Sequence, residues 1–134
     1  MPYEILSHTA DLRLKIQASS LKELFGEALL AVADVLSEKR KTGKPIIRKV
    51  SVSAQDKTSL LVDFLNEVLA MSQINKEVYT KVNFLDFSET RLEAEIEGFK
   101  VGGFDEDIKA ITYHEAEIKQ NKESQWETVL VFDI

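Results

Sequence analysis

Cysteine is absent from this 134-residue sequence. Without thiols the chain can form no disulfide, zinc–thiolate site, iron–sulfur cluster or thiol nucleophile, and this absence favours a cytosolic protein. No internal repeat or low-complexity stretch is visible, and no apolar run approaches the roughly 20 residues that a membrane-spanning helix needs. The N-terminal segment carries Glu4 and lacks a basic region. We therefore predict no signal peptide, a cytoplasmic location and no membrane partner.

Positively charged residues are fewer than negatively charged ones. The sequence has 17 Lys and Arg against 23 Asp and Glu, and its formal net charge is −6. An acidic chain repels phosphate backbones, which disfavours autonomous binding of nucleic acids. The local exception is the basic stretch 38–49, EKRKTGKPIIRK. We interpret this stretch as a solvated loop, with contact to RNA or to an acidic protein as the alternative.

The length suits one domain, and we expect residues 1–134 to form it. Apolar residues at three- and four-residue spacing predict helices at 19–36 and 56–73. Alternation of apolar and polar residues predicts strands at 3–6, 12–18, 50–54, 78–87, 91–99, 108–119 and 126–134. This order predicts an α+β fold, with mostly antiparallel β-sheet layers and two α-helices packed against them.

Side-chain caps support the two predicted helix starts. Ser20 and Glu23 fit a capping box, in which the Ser oxygen accepts an amide hydrogen bond and the Glu reaches back. Asp56 or Thr58 can cap the second helix, because both side chains can accept a bond from the first turn.

Carboxylates are predicted to gather at one end of the sheet. If the last hairpin turns near residues 122 and 123, the numbers of cross-strand partners sum to about 245. Asp133 then lies opposite Thr112, give or take one residue, and the terminal carboxylate of Ile134 lies beside Ile111. Asp11 could join them if the first strands lie beside the last ones.

Clustered carboxylate oxygens suit a hard divalent cation, Ca²⁺ or Mg²⁺. Adjacent carboxylates repel each other unless a cation or a basic side chain is near, and Lys109 is close along the neighbouring strand. The alternative is that Asp11 only caps a turn and that the pattern at the C-terminus has no ligand.

No self-sufficient catalytic arrangement is visible, and we predict no catalytic residue. The motifs GxSxG and HExxH are absent. Gly102 and Gly103 lack the strand–loop–helix context of a phosphate-binding loop. His8 and His114 are ambiguous, and His114 is interpreted as a structural residue on a strand face.

Three stretches together resemble the archease family: PYEILSHTAD at 2–11, IKAITYH at 108–114 and VFDI at 131–134. LKELFGEALLAVADVL and SLLVDFLNEVL resemble the two helices of that family, so the similarity covers nearly the whole chain. The resemblance implies a small cytosolic protein that activates the GTP-dependent RtcB-type RNA ligase in tRNA splicing and RNA repair. Archeases promote guanylylation of the ligase and its multiple turnover, and do not join RNA themselves.

The resemblance also implies a divalent-metal site at Asp11, Asp133 and the carboxylate of Ile134. Lys109 is carried over as a functional residue, and His8 lies next to the metal ligand in the HTAD motif. The implied partner is the ligase, and tRNA or other RNA is contacted only through it.

The sequence departs from the family pattern at two places. Asn66 stands where some relatives carry Asp, which could remove an acidic group from the edge of the site. The acidic segment GGFDED at 102–107 stands where many relatives have basic or histidine residues.

Other functions also fit the residues. One is a chaperone-like, protein-binding module, in which the carboxylates only cap loops. Another is a metal-dependent phosphoesterase, with His8 or His114 as the general base. A third is RNA binding through the basic stretch.

Overall fold

A computed structural model describes residues 11–38 and 43–134. The elements in chain order are β1 (Asp11–Ala18), α1 (Leu21–Leu36), β2 (Ile46–Ser53), α2 (Lys57–Asn75), β3 (Glu77–Phe87), β4 (Arg91–Lys100), β5 (Ala110–Thr112), β6 (Lys119–Gln120) and β7 (Trp126–Asp133). The α+β fold is therefore confirmed. The strand predicted at 3–6 lies outside the described residues. Among the described helices, none combines the length and the apolar character that crossing a membrane requires.

The strands form two antiparallel sheets. In the first sheet β7 is central, with β1 on one side and β5 and β6 on the other. In the second sheet β4 lies between β2 and β3. Helix α1 packs on β1 and β3, and α2 packs on β2, β3 and β5, so the two helices join the sheets.

The predicted apolar stripes of both helices face the protein core. Phe25 of α1 and Phe64 of α2 are fully buried, with ring centroids 5.9 Å apart. Phe87 of β3 meets Phe25 edge-on at 5.2 Å. Each such side chain contributes about 1.5–3 kcal/mol by leaving water, so this aromatic cluster anchors the helices to the second sheet.

The helix caps agree with the sequence in one case and differ in detail in the other. Asp56 caps α2 by accepting the Ser59 N–H at 2.8 Å, and this bond holds the pKa of Asp56 below its usual range. Ser20 caps α1 and accepts the Glu23 N–H at 3.2 Å. The Glu23 carboxylate, however, accepts from the hydroxyl of Ser19.

The basic stretch is not a loop throughout. Strand β2 begins at Ile46, before the predicted start at residue 50, and it includes the end of the stretch. The guanidinium of Arg48 is paired with Glu77, with an N–O distance of 2.8 Å. The charge of Arg48 is therefore used inside the fold. Residues 39–42 lie outside the described part of the chain.

The prediction of one continuous strand at 108–119 is wrong. The backbone leaves the sheet between β5 and β6, where Glu115 has a left-handed φ of 65°. Thr112 and Lys119 are seven positions apart, but their partners on β7, Val131 and Glu127, are only four apart.

This detour changes the register of the last hairpin. Asp133 lies opposite Ala110, not within one residue of Thr112, and Ile111 lies opposite Phe132. The predicted sum of about 245 fails at this end of the sheet. The turn between β5 and β6 contains three more residues than the corresponding part of β7.

Candidate metal centre

Asp11 and Asp133 are direct partners in the antiparallel pairing of β1 with β7. Opposite residues in such a pair point to the same face, with Cβ atoms about 4.5–5.5 Å apart. Leu12 and Phe132, the next pair in the register, pack into the core. The two carboxylates therefore lie side by side on the outer face of the first sheet. The first described strand does lie beside the last one, as the predicted cluster required.

Asp133 has a buried carboxylate oxygen, Oδ1, with no hydrogen-bond partner. Leaving a buried acceptor unpaired costs about 1–3 kcal/mol. The carboxylate of Asp11 beside it adds like-charge repulsion. A divalent cation would relieve both penalties, and carboxylate oxygens are ligands that Ca²⁺ and Mg²⁺ prefer. The donor set therefore fits a hard divalent cation.

Two carboxylate side chains do not complete such a site. Within residues 11–38 and 43–134, no three His, Asp or Glu side chains lie close enough together to hold a metal ion. Ile134 directly follows Asp133, and its side chain packs against the core. Its carboxylate as a third ligand stays a prediction. His8 lies outside the described residues, so its role stays a prediction as well.

Lys109 lies beside Asp133. Its backbone N–H donates to the Asp133 carbonyl oxygen at 2.7 Å, immediately before β5 begins. Its side chain is exposed and makes no ion pair with any described residue. The structure therefore brings together Asp11, Asp133 and the backbone of Lys109, and leaves the Lys109 ammonium free to contact another molecule.

Helix α2 holds the segment that carries Lys109. The side-chain amide of Asn66 donates to the Ile111 carbonyl at 2.8 Å and accepts the Ile111 N–H at 2.9 Å. Gln73 donates to the Ile108 carbonyl at 2.8 Å. A carboxylate at position 66 could not donate. The Asn66 side chain therefore satisfies the backbone N–H and carbonyl of Ile111 at the edge of β5, as a neighbouring strand would.

The acidic segment 102–107 also has a structural use. The Asp105 N–H donates to the Leu36 carbonyl at 2.7 Å, and its carboxylate accepts the Glu38 N–H at 2.9 Å. These bonds satisfy backbone groups at the end of α1 that have no partner inside the helix.

An ion pair that the sequence did not predict crosses the same face of the sheet. Arg13 donates from Nε and Nη2 to the two carboxylate oxygens of Glu115, at 3.0 and 2.5 Å. These bonds hold the pKa of Glu115 below its usual range. Alternation places Arg13 on the face of Asp11. Its partner is 102 residues away in the chain, and no local pattern marks it.

His114 is not the structural residue on a strand face that the sequence suggested. Its side chain is 78% exposed, and Nε2 lies 3.8 Å from a carboxylate oxygen of Glu115. The outward turn after β5 removes it from the strand face on which the continuous strand would have placed it.

Comparison with known proteins shows one family. The model of the Archease protein family (MTH1598/TM1083) matches residues 3–134. A protein archease of Methanosarcina acetivorans is 31% identical over 140 residues, covering 98% of this chain and 95% of that protein. A protein archease of Pyrococcus abyssi is 32% identical over 145 residues, covering 98% of each.

Two solved structures share the fold. The crystal structure of an archease and possible chaperone from Thermotoga maritima has a TM-score of 0.74 and 18% identity, covering 100% of this chain and 98% of that one. The solution structure of protein 1598 from Methanobacterium thermoautotrophicum has a TM-score of 0.64 and 22% identity, covering 96% of each chain. At these identities the likeness shows the fold alone.

Proposed function

Because this chain belongs to the archease family, we propose that it is a non-enzymatic activator of an RtcB-type RNA ligase. The observation that carries the proposal is the pairing of Asp11 with Asp133, whose buried Oδ1 has no partner. A ligase that attaches GMP to itself performs phosphoryl transfer, and such reactions depend on divalent cations to offset charge on the phosphates. An acidic rim that binds a cation is suited to assist that step.

The proposed ligands are Asp11, Asp133 and the carboxylate of Ile134, with Ca²⁺ or Mg²⁺ as the ion. The two side chains stand on neighbouring strands, so eight backbone pairs hold their spacing. Lys109, whose backbone N–H is bonded to the Asp133 carbonyl, adds an exposed ammonium group. It can contact a phosphate or an acidic group of the partner once this rim docks at the nucleotide pocket of the ligase.

RNA is reached through the ligase in this proposal. The net charge of −6 opposes direct association with a polyanion. Arg48, one cation of the basic stretch, is already engaged by Glu77. The proposed setting is tRNA splicing and RNA repair in the cytoplasm.

The test is guanylylation and multiple turnover of the ligase at limiting GTP and metal, with and without this protein. We expect Asp11→Ala and Asp133→Ala to lose most of the stimulation, because each removes half of the carboxylate pair. Asp86→Ala is the matched control, since it removes an exposed carboxylate on the other sheet that pairs with Arg91. Full stimulation by both folded site variants would contradict the proposal.

Two further experiments distinguish this proposal from a plain protein-binding module and from a phosphoesterase. Extending the chain beyond Ile134 converts its carboxylate into a neutral amide, which should weaken the cation site but leave a plain protein-binding module unaffected. Phosphate release by this protein alone, abolished by a chelator, would instead indicate a phosphoesterase.

A further inference from the structure

The outer face of the first sheet carries a cation close to the paired carboxylates. Arg13 lies two residues from Asp11 on β1, on the same face, about 7 Å along the strand. It is the diagonal neighbour of Asp133 on β7, at about 7–8 Å. A flexible Arg side chain can cover that distance. The guanidinium is therefore an internal competitor for any cation that Asp11 and Asp133 bind.

Glu115 binds the guanidinium of Arg13 and so keeps it from the carboxylate pair. It accepts from both Nε and Nη2 of Arg13, at 3.0 and 2.5 Å, in a two-bond arrangement that fixes the plane of the guanidinium. The Arg13 side chain is 59% exposed and that of Glu115 is 35% exposed, so the pair is open to solvent and can exchange partners.

The turn that carries Glu115 is held independently of Arg13. Glu115 takes a left-handed backbone conformation, with φ of 65°. On one side the Tyr113 hydroxyl donates to Asp63 of α2. On the other side the Ala116 carbonyl accepts the Thr128 hydroxyl at 2.6 Å. The carboxylate of Glu115 is thus presented to Arg13 by a turn that is anchored on both flanks.

We propose that Glu115 is a positioning residue for the cation site, which it keeps available by holding Arg13 away from Asp11 and Asp133. The inference rests on the proposed function, because it needs a cation at that carboxylate pair. In the absence of Glu115 the guanidinium turns to the nearest unpaired carboxylates, and a divalent cation then has to displace it. Arg13 and Glu115 together therefore set the affinity of the site.

Calorimetric titration of the purified full chain with CaCl₂, and separately with MgCl₂, tests this. We expect Glu115→Gln to weaken Ca²⁺ binding by about threefold to tenfold. This is the effect expected of the single Arg13 charge acting on carboxylates about 7 Å away near a protein surface. Glu117→Gln is the matched control. It removes the same charge two residues on, where the carboxylate lies 3.9 Å from Lys119, and should change the affinity less than about twofold.

The Arg13 variants give an independent arm. Arg13→Gln alone should bind Ca²⁺ at least as tightly as the unmodified chain, because the competitor is gone. The double variant Arg13→Gln/Glu115→Gln should recover most of what Glu115→Gln loses. A merely structural role of the ion pair predicts the opposite, with Arg13→Gln weakening the site.

The outcomes separate the two proposals. If the unmodified chain binds Ca²⁺ and Glu115→Gln binds it as Glu117→Gln does, the role of Glu115 is overturned and the proposed function stands. If the unmodified chain binds neither Ca²⁺ nor Mg²⁺, the metal site and the role of Glu115 are both overturned. Weaker binding by Arg13→Gln would overturn the competition between Arg13 and the cation.

Discussion

Glu77 is the most buried carboxylate of the described residues, at 1% exposure. It accepts from Arg48 at 3.0 and 2.8 Å and from the Tyr79 hydroxyl at 2.6 Å. The bonds from Arg48 hold the pKa of Glu77 below its usual range in spite of burial. Burial, together with the bond to Glu77, raises the pKa of Tyr79 to about 12. One carboxylate thus joins the two outer strands of the second sheet, β2 and β3, across the central strand β4.

We expect Glu77→Gln to lower the free energy of unfolding at neutral pH by about 2 kcal/mol, since it leaves a half-buried guanidinium without its counter-charge. The folded-state pKa of Glu77 is depressed, so its stabilisation is present above the unfolded value of 4.5 and is lost as pH falls through the folded value. The difference between the two proteins should therefore shrink in acid. Urea denaturation at neutral and acidic pH measures it.

Glu117→Gln is a suitable control, because that carboxylate is exposed and its nearest cation is 3.9 Å away. Equal stability of Glu77→Gln and Glu117→Gln at neutral pH would contradict the role given to Glu77.

Strand β4 is held between two partners, and at one position the backbones come very close. A Cβ placed on Gly98 would lie 1.9 Å from the Val78 carbonyl oxygen and 2.8 Å from the Tyr79 Cα. The φ of Gly98 is not positive, so the need for glycine is one of space. The register between β3 and β4 shifts just beyond this point, between Tyr79 and Lys81. Gly98 therefore permits the close approach of β3 and β4 next to this register shift.

We expect Gly98→Ala to destabilise the fold by roughly 2 kcal/mol or more, because backbone cannot move aside as a side-chain tip can. Gly103→Ala is the matched control. No heavy atom lies within 4 Å of a Cβ at that position, and its φ is not positive. Thermal unfolding of the two variants gives the comparison. Equal melting temperatures would show that a Cβ fits at position 98.

Across the whole molecule, the candidate cation site links β1 to the central strand β7, while α1 links β1 to the second sheet. A ligand that binds only the folded state stabilises it by about 2.7 kcal/mol at a hundred times its dissociation constant. A cation bound by Asp11 and Asp133 would therefore stabilise the entire fold.

Saturating Ca²⁺ should raise the melting temperature by about 5 °C or more, given this linkage and the size of the chain. NaCl at matched ionic strength controls for general screening. Asp133→Asn should show no such rise, since it replaces the buried, unpaired carboxylate with a neutral amide. An equal rise in Asp133→Asn would place the responsible cation elsewhere.

Much of the fold could be predicted from local pattern. The alternation at 12–18 and 91–99 and the stripes of α1 and α2 follow from side chains that must face one core. The division of 108–119 could not be predicted, because it depends on partners that α2 supplies, among them Thr58, which accepts the Ile118 N–H at 3.1 Å. The pairing of Asp11 with Asp133 required knowing that β1 lies beside β7. The role proposed for Glu115 could not be found from the sequence, since it depends on where the turn places its carboxylate.

The pairing of β1 with β7 runs without interruption over eight residue pairs, from Asp11 with Asp133 to Ala18 with Trp126. Side chains alternate between faces, so sliding one strand by a single residue would send every member of β1 to the wrong side. Asp11 would then point inward and Leu12 outward, which the apolar core would resist along the whole length. The core-facing side chains of β1 and β7 therefore fix the spacing of the two carboxylates, although they point to the opposite face of the sheet.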